Sequence, residues 1–200
     1  MIRTTKIKIR PGPYVFPAPT VLVGANVNGK PNFNAIGWCV GHEFSPPLVT
    51  ITSNQRHHNN IGIKENQTFS VNTASEDMVK VTDYCGIKSG RDVDKSELFD
   101  VFYGDLKTAP MINESPLNLE CKVVHIVDTA ELFNAPMGHD IFIGEVVQVY
   151  TEERYLTNNQ PDAEKIKPLV LTGSRNRSRY YKLGEEIGVA WSIGNQYKKD

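Results

Sequence analysis

The run Ser53-Asn54-Gln55-Arg56-His57-His58 sets a hydroxyl, two amides, a guanidinium and two imidazoles side by side. Such donors suit an anion, and Arg56 offers a planar fork matched to a phosphate. Asn60 follows within what reads as a short helix, whose first N–H groups would add the positive end of a dipole. Taken alone, the same stretch also fits a solvated polar loop with an ordinary helix cap. Adjacent side chains diverge on any regular element, so His57 and His58 make a poor chelate and no metal site is expected.

Four other places along the chain could do chemistry. Asn34-Ala35-Ile36-Gly37-Trp38-Cys39 places small residues beside one indole, so a flat ligand can lie against backbone with Trp38 as wall or donor. A core tryptophan beside a bulge glycine fits equally well. The charged turn Ser89-Gly90-Arg91-Asp92-Val93-Asp94-Lys95 also reads as a surface loop of mixed charge. His139 opens an apolar run as a catalytic group or a strand-end polar residue, and Tyr180-Tyr181 can stack on a ring or anchor the C-terminal region. No G-x-G-x-x-G follows a strand, no Walker-type loop is present, and His42-Glu43 lacks the second histidine of H-E-x-x-H.

The elements that must position these groups are mostly strands. Pro46-Pro47 holds the chain extended, and Leu48 to Thr52 is a β-branched run that empties into the donor-rich loop. Thr20 to Val27 alternates, with Val21, Val23, Ala25 and Val27 on one face. Asn28-Gly29 suits a type I′ turn, which makes Pro31 to Trp38 the returning strand. Thr68 to Asn72 is a further strand. His57 to Glu65 predicts a short helix burying Ile61 and Ile63. Ser75 to Tyr84 predicts another, capped by Ser75 and ended by Gly86. Asp94 to Phe99 reads as one helical turn.

Leu117, Leu119, Cys121, Val123, His125 and Val127 repeat with period two, and the apolar Ile141 to Tyr150 is expected to be buried on both faces. Tyr155 to Lys167 is polar and reads as a loop, and Lys198-Lys199-Asp200 as a frayed tail. Many strands with few short helices argue a mainly β barrel with helices packed outside it.

Two hundred residues fit one domain, 1–200, of ordinary hydrophobic (40%) and charged (22%) content. A net charge of -1 gives no general attraction to nucleic acid or acidic membrane, so an anion site must be local. Met1 to Arg10 lacks a signal-peptide core and no stretch nears the roughly 20 apolar residues of a membrane span. A cytoplasmic location is the default expectation. Cys39, Cys85 and Cys121 are odd in number and widely spaced, as free thiols would be. Sequons at Asn66, Asn113 and Asn176 read as chance matches.

In order and spacing, these segments together resemble the flavin reductase-like family, the FMN-binding split barrels that include flavoredoxin. The residues are Gly29-Lys30 with Asn34, the Pro46-Pro47 strand, Arg56-His57 followed by Asn60-Ile61, and Phe69-Ser70-Val71-Asn72. Gly86 with Ser89-Gly90, Asp94-Lys95, and His139 with Gly144-Glu145-Val146 complete them. The likeness runs from about Thr20 to Val149, with a weaker echo at Tyr180 to Leu183.

This resemblance implies a Greek-key split barrel of six to seven strands with peripheral short helices, working as a homodimer around FMN. It implies a flavin reductase taking hydride from NADH or NADPH, or alternatively a flavoredoxin exchanging electrons with a redox protein partner. Carried over by position, Asn34, Ala35, Ile36, Gly37 and Trp38 would line the isoalloxazine. Ser53, Asn54, Arg56, His57 and Asn60 would hold the ribityl phosphate end, with Cys39, Gln55, Asn72, Ser89 and Gly90 completing the cofactor set. Lys95 would stabilise negative charge on the reduced ring, and His139 would stand near the nicotinamide or dimer side. Ala35-Ile36-Gly37-Trp38, where many reductases carry hydroxyl residues, looks more like the flavoredoxin branch. Met137-Gly138-His139 stands where Gly-Asp-His is common.

Overall fold

The computed structural model describes residues 5–173 and 177–197, so the Asn176 sequon and the tail at 198–200 lie outside the described residues. Seven strands build the main sheet: β1 (Val21–Val27), β2 (Lys30–Ile36), β3 (Cys39–Phe44), β4 (Pro47–Asn54), β5 (Thr68–Thr73), β6 (Leu117–Asp128) and β7 (His139–Thr151). They pair antiparallel in the order β2-β1-β5-β6-β7-β4-β3. The pairings β1 with β5 and β4 with β7 join strands distant in sequence, a Greek-key course rather than a meander. The edge strands β2 and β3 are not paired with each other, although only Gly37 and Trp38 separate them. The barrel is therefore split, and the split runs beside Trp38, whose carbonyl accepts from the Thr52 N–H at 2.9 Å.

Sequence patterning explains the curl. On β1, Val21, Val23 and Ala25 face an inner cluster with Val49, Ile51, Phe69, Val71 and Phe142. Leu22 faces an outer cluster with Phe33, Ala74, Met78, Cys85 and Leu169. The alternation is thus real, but both faces of this strand are buried. Burying one such phenylalanine is worth about 1.5–3 kcal/mol, so the inner cluster holds the sheet closed on itself. Asn28 and Gly29 both take positive φ (51° and 77°), as the predicted I′ turn requires.

Several local expectations are corrected. Helix α1 (Asn59–Asn66) buries Ile63 but leaves Ile61 exposed. Ser75 makes no side-chain cap bond; a 3₁₀ turn (Glu76–Met78) leads into α2 (Val79–Ile87), which runs through Gly86. The turn near Lys95 is 3₁₀, at Ser96–Leu98. A β-bulge where Ile143 and Gly144 meet His125 and Val123 shifts the phase of β6, so Ile126 packs on the core and His125 is exposed. Strand β7 is buried only in its first half; Val147 and Val149 are 41% and 44% exposed. The stretch read as a polar loop folds as a two-residue-per-strand hairpin (Leu156–Thr157 with Gln160–Pro161) and the short helix Ala163–Ile166. It is tied down where Glu76 N donates to Lys167 O at 2.9 Å.

Candidate functional site

The β4–α1 loop, the middle of β2 and the segment after α2 converge at one end of the split. Between them lies a cavity of about 160 Å³ lined by Asn32, Asn34, Arg56, His57, His58, Gly86, Ile87, Lys88, Ser89, Gly90 and Lys95. Five of these side chains are basic and none is a carboxylate.

Lys95 is 2% exposed. Its Nζ donates to Phe33 O at 2.9 Å and Cys85 O at 2.7 Å, and no carboxylate pairs with it among the described residues. Burial pushes its pKa below the ordinary lysine value. A buried ammonium without counter-charge is costly, and an anion in the cavity would offset that cost.

His57 is held from behind: its Nδ1 lies 2.9 Å from Ser53 Oγ and 3.2 Å from the Asn34 amide. Its pKa is lowered, first by burial and then by His139, Lys95 and Arg91. That of His58 is lowered by burial, Arg91 and Lys95. The His58 Nδ1 is buried without a hydrogen-bond partner.

Three hydrogen bonds and one close approach shape the cavity wall. Asn54 Oδ1 accepts from Arg56 N at 3.0 Å, an Asx turn that presents the exposed Arg56. Arg91 Nη1 donates to Arg56 O at 2.8 Å, tying that loop to the segment carrying Ser89 and Gly90. Ser89 Oγ accepts from Arg91 N at 3.2 Å. A Cβ at Gly90 would sit 2.2 Å from Asn32 Oδ1, so only glycine lets the segment approach β2 this closely.

From Asn34 the strand leads along the split to two larger hollows. One, of about 250 Å³, is lined by Thr20, Ala35, Ile36, Gly37, Gly86 and Tyr180 among others. Another, of about 500 Å³, lies between the segment 10–16 and Gly37, Trp38 and Leu171. Trp38 is 52% exposed there, and its ring is 5.3 Å from that of His139.

Of the residues singled out from sequence, Asn34, Arg56, His57, Ser89, Gly90 and Lys95 share the basic cavity, with Ser53 and Asn60 directly behind His57. Ala35, Ile36, Gly37 and Trp38 line the hollows beyond. Three face elsewhere. The Cys39 side chain packs on the inner core, and burial pushes its thiol to about 12. Gln55 Nε2 donates to Asp128 at 2.8 Å, and its Oε1 accepts from Gly138 N at 2.9 Å, so it braces the approach to His139. Asn72 is fully buried and bonded to Leu22, Ser70, Ile112 and Asn118. Sequence reading missed Asn32, Ile87 and Lys88; the Asn32-x-Asn34 spacing on one strand face was a usable signal for the first. Among the described residues, no cluster of three His, Cys, Asp or Glu side chains is placed to hold a metal ion. No described helix is long and apolar enough to cross a membrane.

A β barrel split beside a basic cavity defines a structural class, the split barrels. Residues 14–179 match the model of the flavin reductase like domain. The chain belongs to the flavin reductase-like family. It is similar to the flavoredoxin from Methanosarcina acetivorans, with 44% identity, 96% of this chain and 98% of that one covered, and a TM-score of 0.88. The flavoredoxin of Desulfovibrio vulgaris (Miyazaki F) is 27% identical, over 95% of this chain and 100% of its own, with a TM-score of 0.83. A protein of Archaeoglobus fulgidus is 30% identical over 151 residues, 74% of this chain and 80% of that one.

Proposed function

We propose that this protein binds FMN along the split, with the phosphate in the basic cavity, and passes electrons as a flavoredoxin-like oxidoreductase. The observation that carries the reading is Lys95: a buried ammonium with no carboxylate partner among the described residues, in a cavity that adds four further basic side chains. At about 160 Å³, the cavity is smaller than the ~300–1,000 Å³ of whole-ligand pockets, so it takes one end of a longer ligand. The unpartnered His58 Nδ1 and the glycine-only approach at Gly90 fit a phosphate as well.

Bound FMN would supply the redox chemistry, as a two-electron or one-electron carrier. The side chains then need only bind, orient and exclude water; none has to act as nucleophile or general base. Arg56, His57, His58, Lys88 and Lys95 balance the phosphate charge. Ala35 to Trp38 offer a flat backbone wall, and Trp38 with His139 forms the rim facing a donor or acceptor. Lys95 thus serves the phosphate end in this proposal, rather than the reduced ring.

The working unit is proposed to be a homodimer in the cytoplasm. The exposed apolar side chains Val40, Val124 and Val147 on the sheet support a second copy there. A second reading, direct reduction by NADH or NADPH, is favoured by the 500 Å³ hollow at Trp38, where Arg10, Tyr14 and Phe16 leave room for a nicotinamide.

Purification tests the proposal. A yellow protein, or one reconstituted by added FMN, is the expected result; a colourless protein that FMN does not reconstitute contradicts it. Anaerobic mixing then separates the two readings. Bleaching by a reduced redox protein alone supports the carrier, and fast bleaching by NADH or NADPH supports the reductase.

A further inference from the structure

We infer that Ser53 and Asn60 hold the His57 imidazole with its proton on Nδ1, so that a phosphate entering the cavity is bound together with a proton taken up at Nε2. The inference rests on the phosphate reading above and adds the charge state in which the site captures its ligand.

Asp140 starts the chain of constraint. Its fully buried carboxylate accepts from Lys64 Nζ at 2.8 Å, from Asn60 Nδ2 at 2.8 Å and from Gln55 Nε2 at 3.3 Å. Asn60 Nδ2 also donates to Asn54 O at 3.2 Å. Both partners only accept, so the Asn60 amide has one allowed orientation and turns its Oδ1 to Ser53. The Ser53 hydroxyl donates to that oxygen at 2.6 Å. Its single proton is then committed, and at 2.9 Å from His57 Nδ1 it can only accept. The imidazole proton must therefore sit on Nδ1; the Asn34 amide, whose Nδ2 stands 3.2 Å from the same nitrogen and 3.4 Å from Ala35 O, then has to turn its carbonyl oxygen to the ring and give up the long Ala35 contact.

Nε2 is left as a lone pair on a side chain that lines the cavity. Facing a phosphate oxygen, that lone pair repels; once protonated, it donates a charge-assisted hydrogen bond. The groups acting on the ring are His139 at the start of β7, Lys95, and Arg91 beyond Gly90, while Arg56, His58 and Lys88 share the cavity. All can carry positive charge, and with burial they hold His57 neutral until an anion arrives. The step is a proton transfer from solvent to Nε2, with no covalent bond of the ligand broken and no electron moved.

Calorimetric titration of the flavin-stripped full chain with FMN, at pH 7.5 in two buffers of different ionisation enthalpy, counts the protons. The expected result is uptake approaching one proton per FMN, with affinity falling by about tenfold per pH unit from pH 7 to 8. Ser53→Ala frees Nδ1 to accept from the Asn34 amide, which moves the proton to Nε2. Uptake should then fall close to zero, with affinity changing less than about threefold over that range; Ser53→Thr should restore the wild-type pattern. FMN binding to the wild type without proton uptake overturns the inference while leaving the FMN reading standing. No FMN binding at all sinks the FMN reading instead. Nitrogen-15 NMR of ligand-free His57 tests the tautomer in either case, and a proton found on Nε2 overturns it.

Discussion

Asn72 and Lys95 are both almost fully buried, yet their surroundings are opposite. Each amide atom of Asn72 has two partners: Nδ2 donates to Leu22 O and Ser70 Oγ, and Oδ1 accepts from Ile112 N and Asn118 Nδ2. Nothing remains for a ligand, and the network rivets β5 to β1, β6 and the strand Pro110–Ile112. Among the described residues, Lys95 meets two carbonyls and no negative charge, beside a histidine nitrogen with no partner. A satisfied buried network holds a fold together, whereas a buried charge left uncompensated marks a place where something charged is to be bound.

Substitutions can break this contrast. Asn72→Ala should lower the free energy of unfolding by about 3 kcal/mol, because it orphans buried donors and acceptors. Urea denaturation measures that, and the protein that remains folded should bind FMN as before. Lost FMN affinity with stability retained would put Asn72 in the site after all. Arg56→Ala should show the reverse: FMN affinity weaker by about 1.5–3 kcal/mol in a fluorescence titration, with little change in stability because the side chain is exposed. Gly90→Ala should cost about 1–2 kcal/mol of stability and weaken FMN as well, since its Cβ would displace Asn32 at the cavity wall. Trp38→Ala should change stability by under about 1 kcal/mol, its ring being half exposed, but shift the absorbance of bound flavin. A Trp38 variant that fails to fold would make the indole a core residue.

The smallest effect concerns pH. His57 and His58 titrate below their ordinary value in the fold, so the unfolded chain binds more protons over the interval up to about 6.5. Ligand-free protein should hold its stability above that pH and lose some as the pH falls through the folded values. Thermal melts from pH 8 to 5 measure this, and FMN should oppose the loss.

How far the sequence disclosed these two regions depends on the range of the contacts. Turn and strand signals that rest on backbone restriction held: Asn28-Gly29 set the turn, and Pro46-Pro47 followed by β-branched residues set β4, whereas the Ser75 cap and the Gly86 stop did not. The loop Ser53 to Asn60 announced donors because they adjoin one another. The β6 bulge was hidden, since it depends on pairing with a strand more than a dozen residues away, and period-two counting carried His125 to the wrong face. Asn72 enters the cofactor set by position within a resembling motif; three of its four partners come from other segments that no local pattern reveals. The side chains of Gln55 and Cys39 likewise lie away from the basic cavity, because neighbours in sequence on a strand or turn point to different sides. Ser53 and Asn60 were legible as polar residues, but their part in orienting His57 depends on Asp140, eighty positions later.

Parallel fluorescence titrations with FMN and with riboflavin, identical but for the phosphate, show whether the basic cavity recognises the phosphate of a flavin. FMN should bind about 100-fold more tightly, equivalent to about 2.7 kcal/mol, and inorganic phosphate should weaken FMN but not riboflavin. Equal affinities for the two flavins would contradict that recognition and leave Lys95 a buried charge without a ligand.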